Sequence, residues 1–453
     1  MKIMIAGAGK VGKALAKDLS YEGHDITIID SDPAVLEDAI SKYDVITYEG
    51  NCATMNVLKE AGIAETDVFI AATNADEVNL LSCITAHHLN PSVNTIARIR
   101  DPEYVEQALE MSKELGLSLV VNPEQLAARE IRRLLKYPGF LKRDAFAKAR
   151  IEIVELKVDQ NSRLKNVQLT NLQKIVNSRI LIVTVLRNGK AIAPDGSLVI
   201  KEDDRLFVTG EPSELQNMIT HLGMVNYPIR HVMIAGGGKI SYYLAQELEK
   251  VKMTATIIEN NREKCEMLAR ELPNCTIIHG DATDVSVLES EDIGEYDAFI
   301  SMTGLDEMNV VMSLYANMKG VRQIVTKIGR SEDNALLDSL NIGSTVSPKE
   351  LCTMHILRYV RAMENSKGAA LTIHRIADGQ SEVLEFEVDE TTRHIGEKLK
   401  DIPTKKNTLV ICICHGKDSE ISNGNSSFQT GDTVVVVTNS ENILHKLNDI
   451  FAD

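Results

Sequence analysis

Residues 1–30 read MKIMIAGAGKVGKALAKDLSYEGHDITIID, and residues 231–259 read HVMIAGGGKISYYLAQELEKVKMTATIIE. The chain writes one pattern twice, and each stretch predicts a strand, a tight turn, a helix and a second strand. Ile3, Met4, Ile5 and Ala6 form a charge-free apolar run, suited to a strand buried on both faces of a parallel sheet. Gly7, Gly9 and Gly12 follow at the spacing of a dinucleotide-binding fingerprint. Gly7 makes the turn, Gly9 lets the backbone approach a pyrophosphate, and Gly12 permits close helix–strand contact. Backbone N–H groups at the helix start then face the anion. Asp30 ends the strand ITIID, where a solvent-facing carboxylate accepts hydrogen bonds from a ribose diol.

In the second copy Gly236 and Gly238 stand where Gly7 and Gly9 do, and Glu259 stands where Asp30 does, one methylene longer. Ser241 replaces the third glycine at small cost, because that glycine only eases packing. Both copies therefore predict nucleotide sites. The competing reading of the second is a turn that kept its glycines and lost its ligand.

At 453 residues the chain is too long for one domain. A net charge of −16 and the absence of Trp argue against a nucleic-acid partner, which needs a basic surface. Seven cysteines, an odd number without a CxxC pair, fit a reduced, cytosolic chain. Cys412 and Cys414 alternate within the strand-like run LVICICH and so face one side of a sheet, which favours a core over a metal site. No apolar run reaches the roughly twenty residues that span a bilayer, so the chain is not itself a channel.

The repeat continues: GNCATMNVLKEAGIAETDVFIAATNADEVN at 50–79 aligns with GDATDVSVLESEDIGEYDAFISMTGLDEMN at 280–309. Asp67 pairs with Asp297, Thr73 with Thr303, Asp76 with Asp306 and Asn79 with Asn309. These polar residues are expected outside the carboxyl ends of the strands, where open α/β sheets bind ligands. NTIARIR at 94–100 and QIVTKIG at 323–329 add a strand ending in Arg98 and Arg100, or in Lys327 and Arg330, cations that offset phosphate charge. In the helical stretch beginning PEQLAAREIRRLLK, Leu126, Ile131, Leu134 and Leu135 form an apolar stripe. Arg129, Arg132, Arg133 and Lys136 occupy other faces, which predicts a solvated face or a subunit contact, with anionic lipid as the alternative.

The texture then changes to short β-like runs: IEIVELKV, RILIVTVL and RLFVTG within 151–210, with the turn signals RNGK and PDGS. VLEFEV, LVICIC and TVVVVT repeat that order within 382–438. The expected fold is α/β, two tandem doubly wound domains, each followed by a small β-rich α+β module.

With GAGKVG, Asp30, TNADEVN, the basic residue at 98, the asparagine–proline pair before the helix and the doubled module, the chain resembles the RCK, or KTN, family over essentially its whole length. Its tandem form is similar to regulatory subunits of Trk-type potassium uptake systems. The resemblance implies Rossmann-like RCK N-terminal domains at 1–123 and 229–348, and a linker helix plus RCK C-terminal module at 124–226 and 349–453. It implies a cytoplasmic ring, a homotetramer, on the inner face of the cell membrane beneath a separate potassium pore of the TrkH or TrkG type. Nucleotides, NAD(H) and in some members ATP or ADP, change the ring's shape. Carried over residue by residue, the contacts fall on Gly7, Ala8, Gly9, Lys10, Val11, Gly12, Asp30, Asn51, Cys52, Thr73, Asn74 and Arg98. In the second half they fall on Gly236, Gly237, Gly238, Lys239, Ile240, Glu259, Asp281, Ala282, Thr303, Gly304 and Lys327. Asn74 becomes Gly304 and Arg98 becomes Lys327, which leaves the second ligand's identity open.

The rival class is an NAD-dependent oxidoreductase. Such an enzyme needs a positioned acid or base on a distinct catalytic domain. Here both candidate cofactor domains precede the same small module, and no His recurs at matched positions. His87 and His88 lie in a helical run and read as surface or core residues.

Overall fold

A computed structural model describes every residue except 137–139, 147–149, 224–227, 330–339, 341, 365–369, 417, 440–443, 445 and 453. Strands β1 (Lys2–Ala6), β2 (Asp25–Asp30), β3 (Ile46–Glu49), β4 (Val68–Ala71), β5 (Asn94–Arg98) and β6 (Leu119–Val121) form a parallel sheet in the order β3-β2-β1-β4-β5-β6. Helices α1 (Lys10–Tyr21), α2 (Pro33–Lys42), α3 (Met55–Glu60), α4 (Asp76–Leu89), α5 (Pro102–Glu110) and α6 (Pro123–Lys136) follow the strands in turn. Ile3 and Ile5 pack with Leu15 and Leu19 on one face, while Met4 and Ala6 pack with Leu58 and Cys83 on the other. A strand covered on both faces has no place for a polar side chain, which is why this run carries none.

An antiparallel module comes next, with β7 (Lys142–Phe146), β8 (Ile151–Lys157), β9 (Ile180–Arg187), β10 (Lys190–Ile192) and β11 (Arg205–Gly210) in the order β10-β9-β11-β8-β7. Helices α7 (Leu172–Val176) and α8 (Pro212–Leu222) flank it. The RNGK signal is the β9–β10 turn, where Asn188 and Gly189 take φ of 51° and 72°, the left-handed pair that matches strand twist.

The second half repeats both units. Strands β12 (His231–Ala235), β13 (Thr254–Glu259), β14 (Thr276–His279), β15 (Ala298–Ser301), β16 (Gln323–Lys327) and β17 (Ser344–Val346) form a second parallel sheet, ordered β14-β13-β12-β15-β16-β17. Its described helices are α9 (Lys239–Lys250), α10 (Arg262–Glu271), α11 (Val285–Ser290), α12 (Asp306–Met318) and α13 (Pro348–Glu364). The closing module has β18 (Ala370–Ile376), β19 (Ser381–Glu387), β20 (Thr408–His415), β21 (Asp418–Ile421) and β22 (Thr433–Asn439), ordered β18-β19-β22-β20-β21.

Helices α6 and α13 pack against each other's sheets. Ala127, Ala128, Ile131, Leu134 and Leu135 of α6 share a core with Val232, Ile234 and Leu244 of the second domain. Reciprocally, Cys352, Ile356, Leu357 and Val360 of α13 share one with Ile3, Ile5 and Leu15 of the first. The expected solvated or subunit-facing basic surface on α6 is therefore corrected in part: Arg132 pairs with Glu247 of α9 at 3.0 Å and Arg133 with Glu130 at 2.8 Å, while Arg129 is exposed. A duplicated partner on the same chain is present at high effective concentration, so the contact forms internally.

The two modules also share a core, in which Ile153, Val183 and Phe207 meet Val383, Ile411 and Val435. Cys412 and Cys414 are buried in it with their Sγ atoms 3.7 Å apart, on one side of the sheet as their alternation predicts.

Candidate nucleotide sites at the two glycine loops

Each glycine loop lies at the carboxyl end of its sheet's central strand, where the strand order reverses and opens a crevice. Gly7 takes φ of 100° and Gly236 of 104°, a conformation that side chains disfavour. A Cβ on Gly12 would stand 1.8 Å from the Gly7 carbonyl oxygen, so the loop closes only without one. Helices α1 and α9 begin after Gly9 and Gly238 with no side-chain cap, which leaves their first N–H groups open to an anion. Lys10 is exposed at the start of α1, whereas Val11 and Ile240 point into the cores.

Asp30 is half-buried rather than solvent-facing. Its Oδ2 accepts from the Ala8 N–H at 2.6 Å and its Oδ1 from the Asp32 N–H at 3.0 Å, so the carboxylate also holds the loop shut. Glu259 repeats this, accepting from the Gly237 N–H at 2.7 Å and the Asn261 N–H at 2.8 Å, and it is buried. The longer acid explains a second difference between the copies. A Cβ on Gly237 would lie 2.9 Å from the Glu259 Cβ and 2.7 Å from Leu268 Cδ1, so Gly237 replaces Ala8 where glutamate replaces aspartate. Ser241 adds a bond in place of the missing glycine: its hydroxyl donates to the Gly236 carbonyl.

The Gly50 and Gly280 N–H groups donate to the Asp30 and Glu259 carbonyls at 2.9 and 3.0 Å, which sets the next loops beside the acids. There Asn51 is exposed and accepts from the Ala53 N–H at 3.0 Å, and Asp281 accepts from the Thr283 N–H at 2.9 Å. Cys52 and Ala282 are buried, and burial pushes the Cys52 thiol up.

The TNADEVN pattern and its counterpart TGLDEMN divide by role. Asn79 is fully buried; its Oδ1 accepts from the Thr73 N–H at 2.8 Å and its Nδ2 donates to the Arg98 carbonyl at 2.7 Å, stapling β4 to β5. Asn309 does the same with Thr303 at 2.9 Å and Lys327 at 3.1 Å. Asp67 and Asp297 are at the opposite end of the sheet from the loops, accepting from the Lys2 N–H at 2.8 Å and from the Arg230 and His231 N–H groups at 2.8 and 3.0 Å. They precede their strands, so they order the strand starts and lie away from the crevice. Arg100 is also a corner staple, bound to Asp76 at 3.4 Å and to the Asn74 carbonyl. Gly329, not Arg330, occupies its place in the second copy, donating from its N–H to Asp306 at 2.9 Å as Arg100 does to Asp76 at 3.0 Å. Arg330 lies outside the described residues. Gly304 is exposed and has open space around its Cα.

Arg98 donates from Nη1 to the Thr73 carbonyl at 3.3 Å, and its buried Nε has no protein partner. Lys327 donates to the Thr303 carbonyl at 2.6 Å, and burial lowers its pKa. The cations thus stand at matched corners.

Glu124, in the first turn of α6, is a residue that motif reading missed. Its Oε2 is buried without a protein partner, and burial pushes its pKa up against the opposing pull of Arg98, Arg100 and Lys239. Lys327 also feels its charge, so Glu124 stands between the two halves' cations. The same seam holds Lys239 to Asp101 at 3.0 Å and Asn122 to the Tyr243 hydroxyl at 2.9 Å. A raised carboxyl holds its proton more tightly folded than unfolded, so it favours the fold at low pH and opposes it as pH rises past the ordinary value of 4.5. Glu124→Gln should raise stability at pH 7 by about 1–3 kcal/mol, with the gain shrinking toward about pH 4. Thermal melts of both proteins across that range check it; a pH-independent difference would contradict the burial argument.

Two family models each match the chain twice. The TrkA-N domain matches residues 3–123 and 232–348, and the TrkA-C domain matches residues 153–223 and 383–452. The chain belongs to the TrkA family. Among TrkA-family relatives, the Trk system potassium uptake protein TrkA homolog of Archaeoglobus fulgidus is 31% identical over 452 residues, covering 100% of both chains. The Trk system potassium uptake protein TrkA of Vibrio alginolyticus is 31% identical over 445 residues, covering 96% of this chain and 95% of that one. Among solved structures, the GsuK RCK domain superposes with a TM-score of 0.60 at 17% identity, covering 97% of this chain and 92% of that one. The GsuK channel bound to NAD gives 0.59 at 17% identity over 97% and 77%. These confirm the tandem RCK fold. Membership of the TrkA family sets the oxidoreductase alternative aside: its relatives are potassium uptake proteins, and the chain is not an enzyme.

Proposed function

We propose that the chain is the nucleotide-responsive gating subunit of a Trk-type potassium uptake system, divided at 1–123, 124–226, 229–348 and 349–453. The observation that carries this reading is the reciprocal exchange of α6 and α13, which ties two glycine loops into one body. A ligand that changes one loop then has a route to the other half. The ligands are NAD(H), with ATP or ADP as further candidates, on the residues named above; the GsuK channel bound to NAD supports that class for a chain of this fold. The planar Arg98 fork suits a terminal phosphate better than the compact Lys327 ammonium, so the first site discriminates more sharply. A nucleotide gates only by binding one shape more tightly, and a coupling of about 1–3 kcal/mol suffices.

Among the described residues no helix is long and apolar enough to cross a membrane, so the potassium path belongs to a separate pore of the TrkH or TrkG type. The working form is a homotetramer, cytoplasmic and peripheral on the inner face of the membrane. Exposed Leu81 and Ile84 on α4, and Val311 and Met318 on α12, supply related apolar faces for self-association.

Asp30→Ala tests the reading. It removes the diol acceptor and should weaken NADH binding by about 1–3 kcal/mol, while potassium flux through reconstituted pore plus subunit loses its response to NADH. Calorimetry and flux are read on the same preparation. Unchanged affinity with unchanged response would refute the assignment of the glycine loop.

A further inference from the structure

A cleft of about 730 Å³ runs from the start of α1, beside the first glycine loop, between α1 and α2 of the first domain, α13, and the paired modules. That is the size of a small-molecule site. One wall is the lysine stripe Lys10, Lys13 and Lys17, spaced along one face of α1. The facing wall is mixed: Met354 of α13 and the largely buried Ile153, Phe207 and Ile376 of the two modules alternate with the ion-paired Glu155, Arg205 and Asp378.

The charges on this cleft do not cancel. Asp38 is paired with Lys13 and with Lys42 at 2.7 Å, Asp18 with Arg375 at 3.1 Å, and Glu155 and Asp378 with Arg205. Glu350 remains, exposed. Lys10 and Lys17 have no carboxylate partner among the described residues, and both are exposed toward solvent. A separate observation points to a ligand: Thr353, 4% exposed on the α13 wall, has a buried hydroxyl without a hydrogen-bond partner. Buried hydroxyls are ordinarily satisfied. The second copy has lost the stripe, keeping Lys239 but placing Tyr242 and Gln246 where Lys13 and Lys17 stand. The stripe is thus a property of one site, beyond what the α1 fold requires.

We propose that this cleft binds a small organic phosphate, with the unpaired Lys17 facing its phosphate, Lys13 held beside it by Asp38, and Met354 with the edges of Phe207 and Ile376 against its apolar part. An inorganic phosphate would leave the apolar part of the wall unused, and a neutral apolar molecule would leave the lysines unmatched. Because the walls come from both halves and both modules, an occupant joins the first domain to the module pair and acts as an effector distinct from the glycine-loop ligand.

The test uses pyridoxal 5′-phosphate on the full chain with excess NADH present. The probe's aldehyde condenses with a lysine amine, releasing water, and borohydride reduces the imine to a stable amine that peptide mapping locates. We expect Lys17 to be labelled at least fivefold above other exposed lysines, pyridoxal without phosphate to show no such preference, and inorganic pyrophosphate to suppress the label. Thr353→Val should reduce the preference without changing NADH affinity. Even labelling of surface lysines, equal labelling by pyridoxal, or a preference unaffected by pyrophosphate would overturn the proposal. Label on Lys10 that NADH removes belongs to the glycine loop, so failure there and failure here are separate outcomes.

Discussion

Leu134→Ala is expected to destabilise the second domain, although residue 134 follows the first. Leu134 is 2% exposed within the core of Val232, Ile234 and Leu244, so its truncation leaves a cavity there and costs about 2–5 kcal/mol. Ile356→Ala is the mirror experiment. Ile356 is fully buried against Ile3, Ile5 and Leu15, and its loss should strike the first domain by a similar amount. Hydrogen exchange resolves the two, because local opening is reported strand by strand. With Leu134→Ala, protection should fall first in β12, β13 and β15; with Ile356→Ala, in β1, β2 and β4. If each substitution instead loosened the sheet that precedes it in the chain, the exchange of helices would be wrong.

Gly12→Ala should disable the first nucleotide site while the second persists. Its Cβ would meet a backbone oxygen at 1.8 Å, which no rotamer change relieves, so either α1 retreats from the loop or the loop opens. Overpacking of this kind costs about 1–3 kcal/mol, and NADH affinity at that site should drop at least about tenfold. The corresponding change in the other copy, Ser241→Gly, removes only one hydroxyl–carbonyl bond and should cost about 0.5–1.5 kcal/mol. Calorimetric stoichiometry distinguishes them, since the first variant loses one site and the second keeps both. Two intact sites in Gly12→Ala would mean that the loop does not hold the nucleotide.

The strand–glycine–helix–strand pattern was readable in residues 1–30 because each part is a local requirement: a charge-free run for a two-faced strand, a glycine at φ of 100°, and an acid at the next strand's end. The repeat then determined the count of sheets, and the Asn-Gly turn determined a hairpin, for the same local reason. Other features depend on what a residue meets far along the chain. Asn79 reads like a ligand contact, yet it is a buried staple because the Arg98 carbonyl happens to reach it at 2.7 Å. Gly237 looks like a stray glycine until Glu259 and Leu268 are seen filling the space of its missing Cβ. Glu124 is one acid in a helix's first turn, and only the approach of both halves makes it a buried charge among cations. Most of all, the apolar stripe on α6 states that the helix buries a face and is silent on which core receives it. Two domains of the same strand order on one chain offer that stripe two sheets of like topology; the choice of the distant one is made by the packing of α6 and α13 as a pair, a property of the tertiary structure that no local window of residues contains.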